Sequence, residues 1–509
     1  MASVVVIGAG MGGLSAAARL SAQGHQVTVL EQSKRPGGKL ETYRREGFAF
    51  DTGPSLLTLP AVYRDLFLKT PVRRKGASLE ENIDLRGLDT AFGYHWADGA
   101  VATIPGSNSN RVAAALGDAL GGSAEAQWQR FSRRAADIWS VTRVPFLESP
   151  VNGVRDLSRQ MLSPKAVRTV APWQTLRGLA RQYFDDPRLV TLTDRYATYT
   201  GSDPRRAPAA LAVIPFVEQT FGAWHIGGGL GSLADALHQR CIDRDITFRF
   251  SAPVTKIRTE AGRVSGVVLE GGESLSCDIV ISDADAATVY GRLLDDPLAA
   301  RQARRLTRLT PSLSGFALLL ALRGRTPGLQ HHTVLFPSNY DEEFDAIFGP
   351  TPRLPDDPAI YICSPDDDTM RPEGHEAWFV LVNTPPDDPE RPVNSRGVNS
   401  RRVNWRDQSM VERYAKRVLE LMARRGLDVR DRILWQEVRT PADIADRSWS
   451  PGGSIYGSSS NSRRSAFMRP ANRSPITGLF LVGGSAHPGG GLPLVGMSAA
   501  IVAELIGSA

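Results

Sequence analysis

The sequence predicts an α/β fold in which one domain, built on a parallel β-sheet, is assembled from separated segments and a second, α+β domain is inserted between them. Three observations lead to this prediction. A strand, a glycine-rich turn, a helix and a second strand open the chain, and a β-hairpin and an apolar strand occupy its middle. A strand, another glycine-rich loop and a helix close it. Parallel strands need long crossovers, so remote segments of this kind complete one sheet.

The composition is that of a folded enzyme. The chain has 509 residues, of which 42% are hydrophobic and 22% charged, and this is too apolar for a disordered protein. The net charge is +6, but the basic residues are spread along the sequence without a long run, so no nucleic-acid partner is expected. The mild basic excess favours contact with an anionic membrane surface.

Neither a metal site nor a secretion signal is predicted. Cys241, Cys277 and Cys363 are far apart, form no CxxC pair and fit a reducing compartment. Residues 1–7 lack the basic and long apolar regions of a signal peptide. The longest apolar runs, such as residues 316–322, are far below the ~20 residues of a spanning helix. We therefore expect a cytoplasmic protein that associates peripherally with a membrane.

The opening segment has the order of elements that dinucleotide-binding domains share. Residues 3–7 predict a short buried strand, residues 14–22 predict a helix, and residues 26–30 predict a second strand that ends at an acidic residue. A GxGxxG turn joins the first strand to the helix. The complete fingerprint, in register over about 30 residues, predicts a Rossmann-like domain, and a glycine-rich turn without a ligand is the alternative.

Each residue of this fingerprint has a physical role. Gly8 allows the tight turn, Gly10 lets the backbone approach a diphosphate, and Gly13 lets helix and strand pack closely. The helix start supplies unpaired N–H groups and partial positive charge for the phosphates. Glu31 is placed to accept hydrogen bonds from the adenosine ribose, and its carboxylate disfavours a 2′-phosphate, so NADP is not expected.

A second pair of glycines follows the second strand. Gly38 and Lys39 end an Arg-x-Gly-Gly-Lys element, and Gly53 and Pro54 follow a short apolar stretch. The element resembles that of the flavoprotein amine-oxidase and carotenoid-desaturase superfamily, in which the glycines pass beside the flavin phosphates. The usual Arg is Lys39 here, which keeps the charge and loses the bidentate fork. The resemblance implies FAD as the cofactor, and a basic surface turn is the alternative.

The middle of the chain resumes this domain. Residues 254–257 predict a short strand, and residues 263–269 form a predicted hairpin with residues 273–277. An apolar strand follows at residues 278–282. In flavoproteins of the type resembled, such a hairpin crosses the sheet, and the residue matching Val254 contacts adenine through its backbone. An unrelated β-meander is the alternative.

The C-terminal segment predicts a second anion cradle. Residues 478–482 predict a strand, and a loop that starts at Gly483 and Gly484 leads to a helix whose first turn holds Pro493 and Leu494. A glycine-rich loop between a buried strand and a helix offers N–H groups to an anion. We expect this loop to meet the ribityl and diphosphate groups and the edge of the flavin.

These segments divide the chain into two domains. We assign residues 1–89, 226–290 and 451–509 to a discontinuous FAD-binding domain. We assign residues 90–225 and 291–450 to a substrate-binding and membrane-docking domain. The first of these insertions is mostly helical in pattern, and the second contains apolar strands followed by a helix.

Two stretches are candidates for membrane contact. Residues 141–184 mix apolar residues with arginines, which fits either an amphipathic docking surface or an ordinary helix buried on one side. The apolar members are Trp173, Leu176, Leu179, Tyr183 and Phe184. Residues 393–404 repeat a Val-Asn-Ser-Arg motif, which predicts an exposed basic loop that either meets anionic lipid or has no role.

Taken together, the motifs resemble the phytoene desaturase family of carotenoid-modifying FAD enzymes almost from end to end. The most specific elements are Gly-Ser-Ile-Tyr-Gly at residues 453–457 and His-Pro-Gly-Gly-Gly at residues 487–491. The residues before His487 are Ser485 and Ala486, whereas members that act on phytoene usually have Thr-His-Pro-Gly. The loop is closer to that of the hydroxycarotenoid 3,4-desaturases. Asp283 stands where Asn is common.

The resemblance implies desaturation of a carotenoid, either phytoene or a later acyclic or hydroxylated carotene, by hydride transfer to FAD with quinone or oxygen as electron acceptor. No GxSxG, HExxH or CxxC motif supports a hydrolase or a metalloenzyme. The alternatives are an amine or protoporphyrinogen oxidase, a saturase of retinoids working in the reductive direction, and a non-catalytic lipid carrier built on the flavin fold. The sequence does not predict an oligomeric state.

The expected reaction needs few catalytic side chains. A polyene delocalises the cation left by hydride loss, so orientation in a dry, apolar tunnel does most of the work and only a modest base is needed. By motif position, Asp51, His225 and His487 are the candidates for this base, and each has a structural role as the alternative. For His487 that alternative is fixing the C-terminal loop by hydrogen bonds.

Overall fold

The computed structural model of the protein describes residues 1–72, 76–151, 163–387, 403–462 and 469–509. Its strands, in chain order, are β1 (Ser3–Ile7), β2 (Gln26–Leu30), β3 (Thr42–Arg45), β4 (Phe48–Asp51), β5 (Leu85–Gly87), β6 (Thr90–His95), β7 (Val101–Pro105), β8 (Trp224–Ile226), β9 (Thr247–Arg249), β10 (Val254–Glu260), β11 (Arg263–Leu269), β12 (Ser274–Ser276), β13 (Ile279–Ser282), β14 (Ser314–Arg323), β15 (His332–Leu335), β16 (Ile360–Cys363), β17 (His375–Thr384), β18 (Ile433–Arg439) and β19 (Leu479–Leu481).

The α-helices, in chain order, are α1 (Met11–Ala22), α2 (Ala61–Lys69), α3 (Ser109–Leu120), α4 (Ala124–Thr142), α5 (Pro164–Val170), α6 (Leu176–Tyr183), α7 (Pro187–Thr198), α8 (Val213–Phe221), α9 (Gly231–Ile242), α10 (Ala286–Thr288), α11 (Pro297–Leu306), α12 (Asp341–Phe348), α13 (Gln408–Arg424), α14 (Pro441–Ser448) and α15 (Leu492–Ile506). Short 3₁₀ turns lie at Ala209–Ala212, Arg430–Arg432 and Pro451–Gly453, and π turns lie at Arg143–Leu147 and Val289–Leu293.

The nucleotide-type sheet is parallel throughout and has the strand order β19-β13-β1-β2-β9. Strand β1 lies at its centre, because four of its five residues are apolar and the sheet is covered on both faces. The bounds of β1 and β2 are those predicted. Helix α1 begins at Met11, three residues earlier than the sequence indicated, because Gly12 and Gly13 take helical conformation in its first turn.

Helices α1 and α15 cover one face of this sheet. Helix α1 is buried along most of its length, and its alanines at residues 16–18 are fully enclosed. Leu14 and Leu20 of α1 belong to the same apolar core as Ala499 and Val502 of α15. The N- and C-terminal segments therefore share one core, as the glycine motifs predicted.

A three-stranded antiparallel sheet, β10-β11-β12, stands beside the parallel sheet. Strand β11 has the predicted bounds and pairs with β12, which confirms the hairpin, although β12 spans only Ser274–Ser276. Strand β10 pairs with β11 along its length, with Val254 opposite Leu269.

The larger sheet has seven strands in the order β18-β14-β17-β16-β15-β6-β7. Strands β14 and β17 pair antiparallel from Ser314 with Thr384 to Arg323 with His375. Alternate residues of β14 enter two different apolar cores, which explains why its sequence is apolar throughout. Strands β6 and β7 also belong here, so the first insertion opens with a strand pair rather than a helix.

Strand β4 joins the two parts of the fold. Phe48 and Phe50 pack in one core with Ala317 and Leu319 of the seven-stranded sheet. The strand ends at Asp51, immediately before the Gly53 motif. The packing of two phenylalanines therefore fixes where this motif sits between the sheets.

The structure describes much of the first candidate membrane stretch and almost none of the second. Leu176, Leu179 and Phe184 are buried in the core beneath β6 and β7, as in an ordinary helix buried on one side, whereas Trp173 is 52% exposed. The basic repeat lies almost wholly in residues 388–402, outside the described residues. Within the described parts of the chain, none of the helices is long and apolar enough to cross a bilayer.

Candidate functional site

The turn between β1 and α1 has the geometry of an anion cradle. Gly8 adopts a φ of +96°, which an L side chain rarely takes. A Cβ on Gly13 would collide with the carbonyl oxygen of Gly8, so helix and turn approach as closely as only glycine permits. Gly10 is the N-cap residue of α1, so the N-cap position itself supplies no side chain to the first N–H groups of the helix.

Glu31, at the end of β2, is held in place by main-chain groups. Its carboxylate accepts hydrogen bonds from the N–H of Ala9 at 2.7 Å and of Ser33 at 2.8 Å. The N–H of Ala252 donates to the Glu31 carbonyl oxygen at 2.9 Å. This contact brings Val254, two residues further on, to the same end of the sheet, so the two residues predicted for the adenosine lie together.

The second glycine element folds against the first. A Cβ built on Gly38 would lie 3.2 Å from the Cα of Gly10, and the N–H of Gly37 donates to Ala9 O at 2.9 Å. Gly53 is fixed from the other side, because its Cβ would collide with the carbonyl oxygen of Lys39. Pro54 follows it and is half-buried.

Lys39 points along the cleft between these loops and the last third of the chain. Its Nζ donates to the main-chain oxygens of Ser454 and Ile455, both at 3.2 Å. Burial lowers the pKa of Lys39, and Asp285 and Asp283 oppose that shift. The residue is nevertheless exposed by surface area, so an anion can reach its ammonium group. It therefore offers a positive charge to an anion in that cleft.

The C-terminal loop closes the cradle. Gly483 has a φ of +90°, and a Cβ on Gly12 would lie 2.9 Å from the Gly483 nitrogen. Gly484 is half-buried and approaches the backbone of Gly490. Pro493 and Leu494 occupy the first turn of α15, which begins without a side-chain cap. The start of a second helix thus faces the same region.

Asp283, after β13, brings a negative charge to this cradle. Its oxygens fill the space that a Cβ on Gly10, Gly12 or Gly483 would need. Burial raises the pKa of Asp283 to about 7, although the N–H groups of Gly13 and Gly12 oppose the rise. The sequence singled Asp283 out only as a departure from a motif, because its approach to α1 depends on a contact across more than 250 residues.

Arg469 is a site residue that sequence reasoning missed. Its guanidinium donates to the carbonyl oxygens of Tyr456 and Gly484, both at 2.9 Å. Burial lowers its pKa to about 10, and Asp285 opposes the shift. Its place in an Arg-Pro-Ala-Asn motif was the only signal in the sequence. It ties the Gly-Ser-Ile-Tyr-Gly segment to the C-terminal loop.

The carboxylate of Asp51 accepts several hydrogen bonds from other groups of the protein. Its two oxygens accept from the N–H of Leu230 at 2.9 and 3.0 Å, and Oδ1 also accepts from Thr42 Oγ1 at 2.6 Å. Burial raises its pKa, and these donors oppose the rise. The carboxylate therefore holds the start of α9 against β3.

His225, on β8, pairs with Asp367. Its Nε2 lies 2.9 Å from Asp367 Oδ2, which also accepts from the N–H of Gly228 at 2.8 Å. Although burial opposes it, these and the Thr369 hydrogen bonds lower the pKa of Asp367 far below its usual value. His225 is thus anchored to a carboxylate that stays ionised.

His487 is enclosed by the C-terminal loop and the turn after α4. Its Nε2 lies 3.0 Å from the carbonyl oxygen of Ser149, and its ring packs edge-on against Phe146 with 5.2 Å between ring centres. Burial lowers its pKa to about 4. The imidazole is neutral near pH 7 and bridges two segments, which is the role the alternative interpretation gave it.

A polar chain continues from the Gly53 motif into the seven-stranded sheet. Ser55 Oγ lies 2.6 Å from the hydroxyl of Tyr361, which lies 2.7 Å from Nδ1 of His332. Arg195 lies over the ring of Tyr361 at 5.9 Å. These groups border the apolar core formed by β6, β7 and helices α3, α4 and α6 to α8.

One group of described residues has metal-ligand spacing. The ligand atoms of His331, His332 and Cys363 lie within 4.8 Å of one another. Burial raises the pKa of Cys363, which favours the neutral thiol. Burial lowers the pKa of His332, and the charges of His331 and Arg195 lower it further. The spacing by itself carries no metal assignment.

Comparison with known proteins gives the family. The profile of flavin-containing amine oxidoreductases matches residues 11–506. The chain is 31% identical to 4,4'-diapolycopene oxygenase of Methylomonas sp, over 99% of this chain and 97% of that protein. It is 32% identical to 1-hydroxycarotenoid 3,4-desaturase of Flavobacterium sp. strain P99-3, over 99% of both chains. The chain belongs to the flavin-containing amine oxidoreductase family, and the predicted resemblance to its carotenoid-desaturase members is confirmed.

Solved structures show the same fold. An oxidoreductase from Methanosarcina mazei aligns with 99% of this chain and 100% of its own, with a TM-score of 0.63 at 17% identity. Cyclohexylamine oxidase of Brevibacterium oxydans aligns over 99% of both chains, with a TM-score of 0.58 at 15% identity. The predicted α/β fold, with its Rossmann-like domain in separated segments, is therefore confirmed.

The cofactor of the family is FAD, and the residues of this chain fit it. A Cβ is excluded at Gly10, Gly12 and Gly483, where the carboxylate of Asp283 already lies. Two helices begin there with a glycine at the N-cap position, Gly10 and Gly491, and Lys39 adds a positive charge. This donor set suits a diphosphate.

Proposed function

We propose that the protein desaturates a hydroxylated or late acyclic carotenoid. The observation that carries this proposal is the end-to-end similarity to 1-hydroxycarotenoid 3,4-desaturase and to the hydroxyneurosporene desaturase of Cereibacter sphaeroides, each 32% identical over 99% of this chain. The loop at residues 485–491, which departs from the pattern of members acting on phytoene, supports the later position in the series.

The nucleotide would be held by the residues predicted from the sequence. We assign Glu31 and the backbone at Val254 to the adenosine, and the cradle at Gly8, Gly10 and Gly13 to the diphosphate. We assign the rest of the nucleotide to Gly38, Lys39, Gly53, Pro54, Gly483, Gly484, Pro493 and Leu494. When bound, FAD supplies the acceptor for a hydride.

The protein's own contribution is orientation and exclusion of water. We assign the polyene to the apolar residues beside Ser55 and Tyr361, which would supply a dry surface. Asp51, His225 and His487 are each engaged with protein partners, so we assign them positioning roles and not that of a general base. Proton loss from a delocalised cation needs no strong base, which agrees with this assignment.

A second candidate is oxygenation, because the 4,4'-diapolycopene oxygenase is as similar as the desaturases. The full-length protein should be incubated with hydroxylated and unmodified acyclic carotenoids in liposomes, with a quinone or with oxygen as acceptor. Desaturation shifts the polyene absorbance to the red and removes two hydrogen atoms by mass spectrometry. A product that contains added oxygen favours the oxygenase, and peroxide release with amines but no carotenoid turnover overturns both.

We also propose peripheral association with the membrane. Val144 is 60% exposed and Phe221 is 39% exposed. The ring of Trp139 packs on the ring of Phe221, and the guanidinium of Arg143 lies over the ring of Trp139. An exposed apolar patch with adjacent cations fits an anionic lipid surface. Vesicle flotation tests this: V144D combined with F221D should weaken recovery with anionic vesicles, whereas L298D, at an exposed leucine elsewhere, should not. Equal recovery of both variants contradicts this surface.

A further inference from the structure

The carboxylate of Asp283 lies in the glycine turn that the fingerprint assigns to a diphosphate. The N–H groups of Gly13 and Gly12, in the first turn of α1, stabilise its ionised form. Its oxygens also fill the space that a Cβ on Gly10 or Gly483 would need. Those N–H groups are the donors that the fingerprint reserves for phosphate oxygens. An ionised carboxylate and a diphosphate cannot both use them.

Charged and titratable groups face Asp283 from several elements. They are Glu31 at the end of β2, Lys39 in the Gly38 loop, Tyr63 of α2 and, beyond Lys39, Asp285 and Arg469. Glu31 raises the pKa of Asp283 and Lys39 lowers it, while Tyr63 stays protonated because its own pKa is raised by burial. Among the described residues, the cation that offsets the charge of Asp283 is Lys39, which it shares with Asp285.

We propose that the diphosphate of FAD and the ionised carboxylate of Asp283 compete for the same N–H donors, so that Asp283 takes up one proton from solvent as FAD binds. The proton adds to a carboxylate oxygen, and the neutral acid leaves the Gly12 and Gly13 donors to the phosphate. This inference rests on the FAD of the family and does not depend on which carotenoid the enzyme uses.

The pH dependence of FAD binding follows from the pKa of Asp283. Burial sets the pKa of Asp283 near 7 in the protein without FAD, and the negative diphosphate raises it further. Well below pH 7 the acid is already neutral, so binding takes up no proton and the affinity is independent of pH. Above pH 7 each further unit of pH should weaken FAD binding about tenfold. The effect is reversible and requires no turnover.

The test is FAD binding to the full-length protein from which flavin has been removed. Kd is measured by quenching of flavin fluorescence from about pH 6 to about pH 8.5, and calorimetry at about pH 8 in buffers of different ionisation enthalpy counts protons. We expect wild type to take up about 0.9 proton at about pH 8 and to lose affinity above pH 7. D283N should take up close to none, bind more tightly at about pH 8 and show no slope.

The matched control is D278N. Asp278 precedes β13, whereas Asp283 follows it, so the two residues lie at opposite ends of the strand. The side chain of Asp278 accepts a hydrogen bond from the N–H of Ser3. D278N therefore makes the same change of charge far from the cradle. D278N should keep the wild-type pH slope. Absence of buffer-dependent heat in wild type overturns the inference even if D283N does not fold. A D283N slope equal to that of wild type also overturns it.

Discussion

The hydroxyl of Tyr63 donates a hydrogen bond to the main-chain oxygen of Leu492 at 2.8 Å. A residue of α2 thereby holds the first turn of α15, 429 positions further along the chain. Tyr63 is fully buried. The helix start that faces the cofactor cleft is therefore positioned by a contact that no motif contains.

The first prediction concerns this contact. Y63F should lower the free energy of unfolding by about 0.5–1.5 kcal/mol, because it removes one buried hydrogen bond. It should also weaken FAD retention, since α15 borders the cleft. Denaturant titration and flavin content after gel filtration measure the two effects. Y183F, at a half-buried tyrosine of α6, is the control, and equal losses in both variants would contradict a specific role for Tyr63.

Lys39 should contribute to the affinity for FAD through its charge. K39A should raise the Kd for FAD by about tenfold, which corresponds to about 1.4 kcal/mol, whereas K39R should bind at least as well as wild type because it keeps the charge. K34A, at an exposed lysine five positions earlier, should have no effect. Fluorescence titration at constant salt gives the values, and a K39A protein with wild-type Kd refutes the assignment.

His487 should prove to be a positioning residue. Its imidazole is neutral near pH 7, and H487Q replaces it with a polar group that can still reach the Ser149 carbonyl. We expect H487Q to lower kcat by less than about tenfold, to leave the pH profile unmoved and to reduce thermal stability. Loss of a general base would cost about 100-fold or more and would shift the pH profile. The second result would restore His487 as the base.

The strands and helices of the nucleotide sheet could be predicted closely, whereas the contacts between segments could not. Strands β1 and β2 have the predicted bounds, because short, largely apolar runs mark them locally. Asp283 meets Gly10 and Gly12 across more than 250 residues of chain, and nothing in the residues beside it reports these partners. The same holds for β6, which pairs with β15 from another segment.

Glu343 should make stability depend on pH. It is fully buried on α12, where its carboxylate accepts from the side chain of Asn383 and the N–H of Ala359. Burial raises its pKa to about 7 from an ordinary value of 4.5. The folded state thus holds a proton that the unfolded state releases, so this stabilising contribution is complete below about pH 4.5 and declines as the pH rises toward 7.

E343Q should remove this dependence. At about pH 8 the variant should be more stable than wild type by on the order of a few kcal/mol, and the difference should vanish near pH 4.5. Thermal denaturation across this range, with E342Q on the neighbouring residue as control, gives the comparison. A wild-type protein whose stability rises from pH 5 to pH 8 in parallel with E343Q would contradict the prediction.

The central claim is that this flavin fold removes hydrogen from a carotenoid. The most direct measurement places the FAD-loaded, full-length protein with a hydroxylated acyclic carotenoid in liposomes without oxygen or added acceptor and follows both chromophores in one spectrum. We predict that the flavin absorbance bleaches as the polyene absorbance moves to the red, with equal numbers of molecules changed. A loaded protein whose flavin stays oxidised with every acyclic and hydroxylated carotenoid supplied, yet bleaches with an amine, would contradict it.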